Sequence, residues 1–191
     1  MTFGIVVEDQ RDANVYSALI KRIRPDVDVV LERSCRGVAG VRQRFVGWLK
    51  NFEWHAGYHV AKALIIRDCD RLEPRDAEDE LARILKQSGF EPSFPVHFYA
   101  TRREVETWLL ADESAVNLVA RTRQKVPTAQ TVAGSLEDIS DAKERFQRML
   151  SQARLMADPA VYAEVAAVTD FDRISGRCPY FQQFVNCVRA C

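Results

Sequence analysis

The feature that most constrains the fold is a regular alternation of short apolar runs with longer amphipathic stretches. The apolar runs are rich in valine and isoleucine and have the length of buried strands: residues 3–7, 27–31, 59–66 and 94–99. Between them, apolar residues recur every three or four positions, as they do on one face of a helix: residues 9–24, 38–52 and 76–88. This order predicts an α/β fold with a mostly parallel, four-stranded, Rossmann-like sheet flanked by helices.

The rest of the chain has a helical pattern. Thr101 followed by Glu104 has the spacing of a capping box and predicts a helix that runs through Ala111. Further helices are predicted after it, with a loop at 126–140: residues 113–121, 140–155, 159–168 and 179–189. We therefore expect an α/β domain over 1–112 and a helical C-terminal extension over 113–191, packed together as one compact unit.

Composition excludes several classes of protein. The chain is 47% hydrophobic and 28% charged, which excludes disorder and a disulfide-rich miniature scaffold. No apolar run exceeds about five residues, whereas a membrane-spanning helix needs roughly 20, so no membrane association is expected. The amino terminus lacks the pattern of a signal peptide, and the five cysteines are scattered. These features predict a cytoplasmic protein.

The charges balance at 27 basic and 27 acidic residues, which argues against nucleic-acid binding by overall charge alone. The balance conceals an uneven distribution, because residues 1–50 hold nine basic residues against six acidic ones. Seven of the basic side chains could grip a nucleic-acid backbone: Lys21, Arg22, Arg24, Arg33, Arg36, Arg42 and Arg44. We expect weak binding by the chain alone and additional affinity from a partner.

Acidic residues follow two of the predicted strands. Glu8, Asp9 and Asp12 come after the first strand, and Asp68 and Asp70 come after the third. The carboxyl ends of parallel strands share one edge of the sheet, where functional groups gather. Carboxylates brought together there repel one another unless protons or a cation neutralise them. Their oxygens suit Mg²⁺ or Mn²⁺, so the pattern predicts a metal site.

A strand ending in glutamate, followed by a later strand ending in Asp-x-Asp, resembles the TOPRIM domain of topoisomerases, bacterial primases and OLD-type nucleases. More narrowly, the chain resembles the small stand-alone bacterial TOPRIM-like proteins associated with abortive infection. Residues 7–12 are similar to their Val-Glu-Gly-x-Thr-Asp start, and 64–70 to their central motif. Residues 106–112 match a Glu-x-Trp-Leu-Leu-Ala-Asp signature. Asp-Ala-Lys at 141–143 stands where Asp-Pro-Lys is usual, and 178–184 resembles a Pro-x-Phe-x-x-Phe ending.

The resemblance implies a metal-dependent nuclease, or a related phosphoryl-transfer protein, in phage defence or DNA maintenance, with DNA favoured over RNA. Glu8, Asp68 and Asp70 would bind Mg²⁺ or Mn²⁺ and take part in catalysis, with Asp12 as a further ligand. A second acidic cluster could hold another ion through Glu106 or Asp112. The resemblance also implies transition-state stabilisation by one more residue, Lys143. On one helix, Glu106 and Asp112 would face different directions, which favours Glu106.

One position departs from the pattern, since Asp9 stands where the family has glycine. Asp9 either helps to hold a cation, with Arg11 partly compensating its charge, or marks a member that has lost phosphate chemistry. The second case suggests a catalytically silent subunit that binds a partner ATPase of the SMC-like or ABC-like kind. A third interpretation is that the acids only cap helices, with Glu8 more than roughly 8 Å from Asp68. The oligomeric state is left open, and an oligomer is compatible with the sequence.

Overall fold

Four parallel strands form one sheet in the computed structural model, which describes residues 1–54, 57, 59–69 and 73–190. The strands are β1 (Thr2–Val7), β2 (Val29–Ser34), β3 (Val60–Cys69) and β4 (Val96–Arg102), in the order β2-β1-β3-β4. Helices flank the sheet and make up the C-terminal part of the chain, so the predicted α/β fold class is confirmed. No described helix is both long enough and apolar enough to cross a membrane.

The strand order places helices on both faces of the sheet. The described helices are α1 (Gln10–Ile23), α2 (Val38–Glu53), α3 (Pro74–Gln87), α4 (Glu106–Leu109), α5 (Glu113–Thr122), α6 (Ala142–Gln152), α7 (Pro159–Val168), α8 (Phe171–Arg177) and α9 (Pro179–Arg189). Strand β2 lies next to β1 on one side within the sheet, and the chain then crosses back past β1 to place β3 on its other side. Right-handed crossovers therefore put α1 on one face and α2 and α3 on the other. The point where the direction reverses, between β1 and β3, is where open sheets of this kind place their sites.

The α1 face carries the larger core, which includes residues of the sheet and of the C-terminal helices. At its centre, the Trp108 ring lies 5.0–5.9 Å from the rings of Tyr16, Phe181 and Phe184. The Tyr99 ring of β4 is 5.3 Å from Phe184. These contacts join β4, α1, α4 and α9 in one aromatic cluster. The Trp-Leu-Leu part of the Glu106–Asp112 motif is therefore core, since all three side chains are buried.

A buried lysine fixes the end of α9 to the middle of the sheet. Lys62 lies in β3 and is only 4% exposed. Its amine donates to the carbonyls of Cys187, Val188 (3.3 Å) and Ala190 (2.6 Å). These carbonyls belong to the last turn of α9 and the residue that follows it, where the helix itself provides no donors.

The structure corrects the predicted capping box. Thr101 lies inside β4, fully buried, and its hydroxyl is hydrogen-bonded to that of Tyr16 at 2.5 Å. The helix that follows is the single turn α4, which begins only after Val105. Burial of this strand between the helices on the two faces of the sheet outweighed the local capping signal. The sequence pattern also missed α8 and ended β3 too early, at residue 66 instead of 69.

Candidate active site

Glu8 and Asp68 meet where the sheet changes direction. Glu8 directly follows β1, and its Oε1 accepts the backbone N–H of Asp68 in β3 at 2.8 Å. The backbone carbonyl of Glu8 accepts the N–H groups of Arg36 (2.7 Å) and Gly37 (3.1 Å) in the β2–α2 loop. Glu8 therefore connects three neighbouring strand ends. The 2.8 Å contact contradicts the interpretation in which Glu8 lies far from Asp68.

Strand alternation gives the direction of the Asp68 side chain. Leu64 and Ile66 belong to the core on the α1 face, so Asp68 faces the same side. Arg67 faces the α2–α3 side, where its Nη1 donates to Glu80 at 2.7 Å. Burial raises the pKa of Asp68 well above its usual range, and the charges of Asp12 and Glu8 raise it further. Asp70, the other acid of the predicted pair, lies outside the described residues.

Asp9 and Asp12 form the capping box of α1. The Asp9 carboxylate accepts the N–H groups of Arg11 (2.7 Å) and Asp12 (3.0 Å), and Asp12 Oδ2 accepts the N–H of Asp9 (3.3 Å). The φ of Asp9 is −136°, a value that does not require glycine. Its carboxylate is thus occupied in starting the helix, which accounts for aspartate at the position that departs from the family pattern.

As part of this cap, the Asp12 side chain lies among the other acids of the cluster. Asp12 is 8% exposed, and burial raises its pKa to about 8, with contributions from the charges of Asp9, Glu106 and Glu8. Burial disfavours the charged form of this carboxylate, and the neighbouring negative charges add to that effect. The charge of Asp12 raises the pKa of Asp68, so the two predicted ligands lie close together.

Residues just beyond β4 complete the cluster. Glu106, in α4, is 3% exposed, and burial followed by the charge of Glu104 raises its pKa. Lys143 and Arg11 act in the opposite direction on the pKa of Glu106. Glu104 Oε2 accepts the backbone N–H of Lys143 at 3.0 Å, which places the start of α6 beside the acids. Lys143 and Glu106, predicted from separate motifs, are therefore brought to one place.

Asp112 is not part of this group. It is the N-cap of α5, and its Oδ1 accepts the N–H of Ser114 at 3.1 Å. Its Oδ2 accepts the N–H of Asp170 at 2.7 Å, and Arg173 lies 3.4 Å away. Both oxygens therefore join α5 to α8, and we leave Asp112 out of the candidate site. Of the predicted ligands, the structure brings together Glu8, Asp12, Asp68 and Glu106.

Sequence reasoning missed two tyrosines beside the cluster. The charges of Asp68 and Asp12, after burial, raise the pKa of Tyr16. Burial and then the charge of Glu106 raise the pKa of Tyr162 to about 12. The apolar periodicity of α1 and α7 marks both residues as core, and no local motif indicates that the charges of the acids act on their hydroxyls. The sequence also gave Glu104 only a capping role.

Two further observations bear on what the cluster could bind. Within the described part of the chain, no three His, Cys, Asp or Glu side chains are arranged as a ready metal site. The charges of Asp12, Glu8 and Glu106 nevertheless raise the pKa of Asp68, and those of Glu106 and Glu8 raise the pKa of Asp12. Hard oxygen donors crowded in this way match a divalent cation in chemical type.

Comparison with known proteins gives a family and one similar solved structure. No curated protein matches the chain. The C-terminal region of the Burkholderia pseudomallei OLD protein is similar in structure, with a TM-score of 0.47 and 16% sequence identity over 96% of this chain and 98% of that one. The family model described as "Domain of unknown function (DUF4276)" matches residues 6–189, so the chain belongs to this family.

Proposed function

We propose that the protein is a metal-dependent nuclease, or a related phosphoryl-transfer protein, of TOPRIM type, acting on DNA in phage defence or DNA maintenance. The observation that carries the proposal is the convergence of Glu8, Asp12, Asp68 and Glu106 at the reversal point of the sheet. Buried carboxylates with raised pKa values destabilise the folded chain. Such groups cluster at functional sites, so their presence here supports a functional role.

The residues fit a divalent ion by the chemistry of their donors, and Mg²⁺ or Mn²⁺ is the expected cofactor. Asp68 and Asp12 would hold it, together with Glu8 and with Asp70. Bound there, such an ion would polarise a phosphodiester and supply an activated water. Glu8 also fixes the β1–β3 junction through its hydrogen bond to Asp68, which holds two of these carboxylates in a constant relation.

Lys143 supports the same chemistry from the other side. Its charge lowers the pKa of the buried Glu106, so the amine lies within electrostatic reach of the cluster. A fixed cation beside a reacting phosphate stabilises the negative charge that develops in the transition state. We therefore retain Lys143 as a catalytic residue of the proposal.

The basic residues of the N-terminal third do not all face the site. Arg22 donates to the Ala166 carbonyl at 3.1 Å, and Arg24 donates to Asp26 at 2.8 Å, so both serve internal contacts. Arg36 is exposed, and its backbone N–H is bonded to the carbonyl of Glu8. Among these residues, Arg36 is thus placed to contact a DNA backbone whose phosphate lies at the acids.

The test is nicking of supercoiled plasmid by the purified chain in Mg²⁺ or Mn²⁺. The wild type should cleave, and Asp68→Asn should abolish cleavage. Asp158→Asn changes a carboxylate that caps α7 and is not among the charges that raise the pKa values of Asp12, Asp68 and Glu106, so it should leave cleavage intact. Absence of cleavage of DNA and RNA in every divalent metal, with candidate partners present, would refute the proposal.

Thermal denaturation with Mn²⁺ separates the proposal from the silent-subunit alternative. An ion that binds only the folded protein raises the melting temperature by linkage, and Asp68→Asn should remove that rise. A silent subunit acting through an SMC-like or ABC-like ATPase predicts neither cleavage nor a Mn²⁺-dependent rise. The role of Asp9 as a helix cap gives another explanation for the departure that suggested this alternative.

A further inference from the structure

Arg11 places a fixed positive charge inside the acid cluster. Its Nη1 lies 3.8 Å from Oε1 of Glu106, and the two side chains are 23% and 4% exposed. The guanidinium carbon lies 4.9 Å from the centre of the Tyr162 ring. The aromatic ring and the carboxylate hold the guanidinium from two directions, so its position depends on α1, α4 and α7 together.

Arg11 keeps unused hydrogen-bonding capacity in this position. Its Nε and Nη1 are buried and make no hydrogen bond of ordinary geometry among the described residues, although Arg11 is near enough to the Tyr162 hydroxyl to act on its pKa. The 3.8 Å contact with Glu106 supplies charge neutralisation but is too long for a hydrogen bond. Buried donors without partners are costly, and a guanidinium N–H forms a charge-assisted hydrogen bond to a phosphate oxygen. The geometry therefore points to an oxygen ligand that approaches Arg11 from the side of the acids.

The same residues explain how Glu106 is tolerated. Glu106 is almost fully buried beside Glu104, an arrangement that would call for a cation. Arg11 and Lys143 provide positive charge at this position from within the chain. The part of the cluster around Asp12 and Asp68 has no comparable cation among the causes that set the pKa values of these two acids.

We propose that Arg11 takes the place of a second metal ion, neutralising Glu106 through Nη1 and presenting its Nε–H to a phosphate oxygen of the substrate. This inference rests on the proposed function, which supplies the phosphodiester and one divalent ion. The two tasks assigned to Arg11, charge neutralisation and clamping of a phosphate oxygen, are those that a second ion performs in two-metal sites.

The number of bound ions tests the inference without reference to activity. Titration calorimetry with Mn²⁺ should show one ion per chain for the wild type. Arg11→Thr removes the cation beside Glu106 and should bind a second, weaker ion, and adding Glu106→Gln should restore a single ion. Arg173→Thr removes an arginine from another buried carboxylate, Asp112, and should leave the count at one. Two ions in the wild type, or one ion in Arg11→Thr, would overturn the inference.

A second measurement tests the contact with phosphate. In EDTA, fluorescence anisotropy with a labelled DNA oligonucleotide should show about tenfold weaker binding for Arg11→Thr and no change for Arg173→Thr. Arg11→Lys keeps the charge but lacks the Nε–H donor, so it should bind one ion and still bind DNA less tightly. Equal DNA affinity in the wild type and both Arg11 variants would contradict the phosphate contact.

These outcomes separate the two proposals. A wild type that cleaves DNA and binds two ions retains the nuclease and overturns the role of Arg11. A wild type that binds no Mn²⁺ and cleaves nothing overturns the nuclease, and the role of Arg11 with it.

Discussion

The raised pKa of Asp12 leads to a quantitative prediction for Asp12→Asn in the metal-free protein. The pKa is about 8 in the folded chain against an ordinary value of 3.8. The two values differ by about 4, and each pKa unit corresponds to about 1.4 kcal/mol, which gives a ceiling of about 6 kcal/mol. Relaxation of solvent and side chains around the cluster reduces this, and we expect about 2–3 kcal/mol.

The sign follows from which state holds the proton. Below a pH of about 4, Asp12 is protonated in both the folded and the unfolded chain and costs no stability. Between that pH and about 8, the unfolded chain releases the proton while the folded chain retains it, so stability falls as the pH rises. Asp12→Asn cannot release a proton and can still accept the N–H of Asp9. The variant should therefore gain stability over the wild type progressively up to a pH of about 8.

The assay is urea unfolding in EDTA at pH 5, 6.5 and 8. The free-energy difference between Asp12→Asn and the wild type should widen at each step. Asp112→Asn is the matched control, because it alters another buried aspartate whose carboxylate is surrounded by donors. That control should lose stability at every pH. The electrostatic reasoning would be refuted if the difference in unfolding free energy between the wild type and Asp12→Asn did not change with pH. It would also be refuted if Asp12→Asn were less stable than the wild type at pH 8.

Three further predictions concern the supports of the site. Trp108→Ala should cost about 3–5 kcal/mol in urea unfolding, because it empties the centre of the aromatic cluster, and a loss below about 1 kcal/mol would contradict that packing. Lys62→Met should cost about 1–3 kcal/mol by leaving carbonyls at the end of α9 without donors, and hydrogen exchange should speed up in α9 before it does in β1. Asp9→Ala should cost about 1 kcal/mol of stability and Asp9→Gly only a few tenths, measured by chemical denaturation. Equal losses for the two would show that the cap is not what Asp9 contributes.

Much of the fold follows from periodicity. Residues such as Ile5 and Leu64 lie in runs too short and too apolar for surface helices, and they are fully buried in β1 and β3. The place of Glu8 and Asp68 follows from the same reasoning, since both come at the carboxyl ends of neighbouring strands. These predictions succeed because each depends on local pattern and on one general rule of sheet topology.

The errors occur where a residue's role depends on distant parts of the chain. Thr101 has a local capping signal, but its partner is Tyr16, 85 residues away in sequence. Asp112 is acidic and close to Glu106 in sequence, yet its oxygens are used by Ser114 and Asp170. The sequence shows the chemical type of such a side chain. Whether its oxygens remain available to bind a ligand depends on tertiary packing.

The aromatic cluster has a consequence for how the chain is made. Seventy-six residues separate Trp108 from Phe184, which packs against it. At synthesis rates of about 5–20 residues per second, Phe184 is added to the chain roughly 4–15 s after Trp108. During that time the α1 side of the nascent sheet presents Tyr16, Tyr99 and Trp108 without the helix that covers them. We expect the emerging chain to depend on chaperones until α9 is synthesised and Lys62 can bind its last turn.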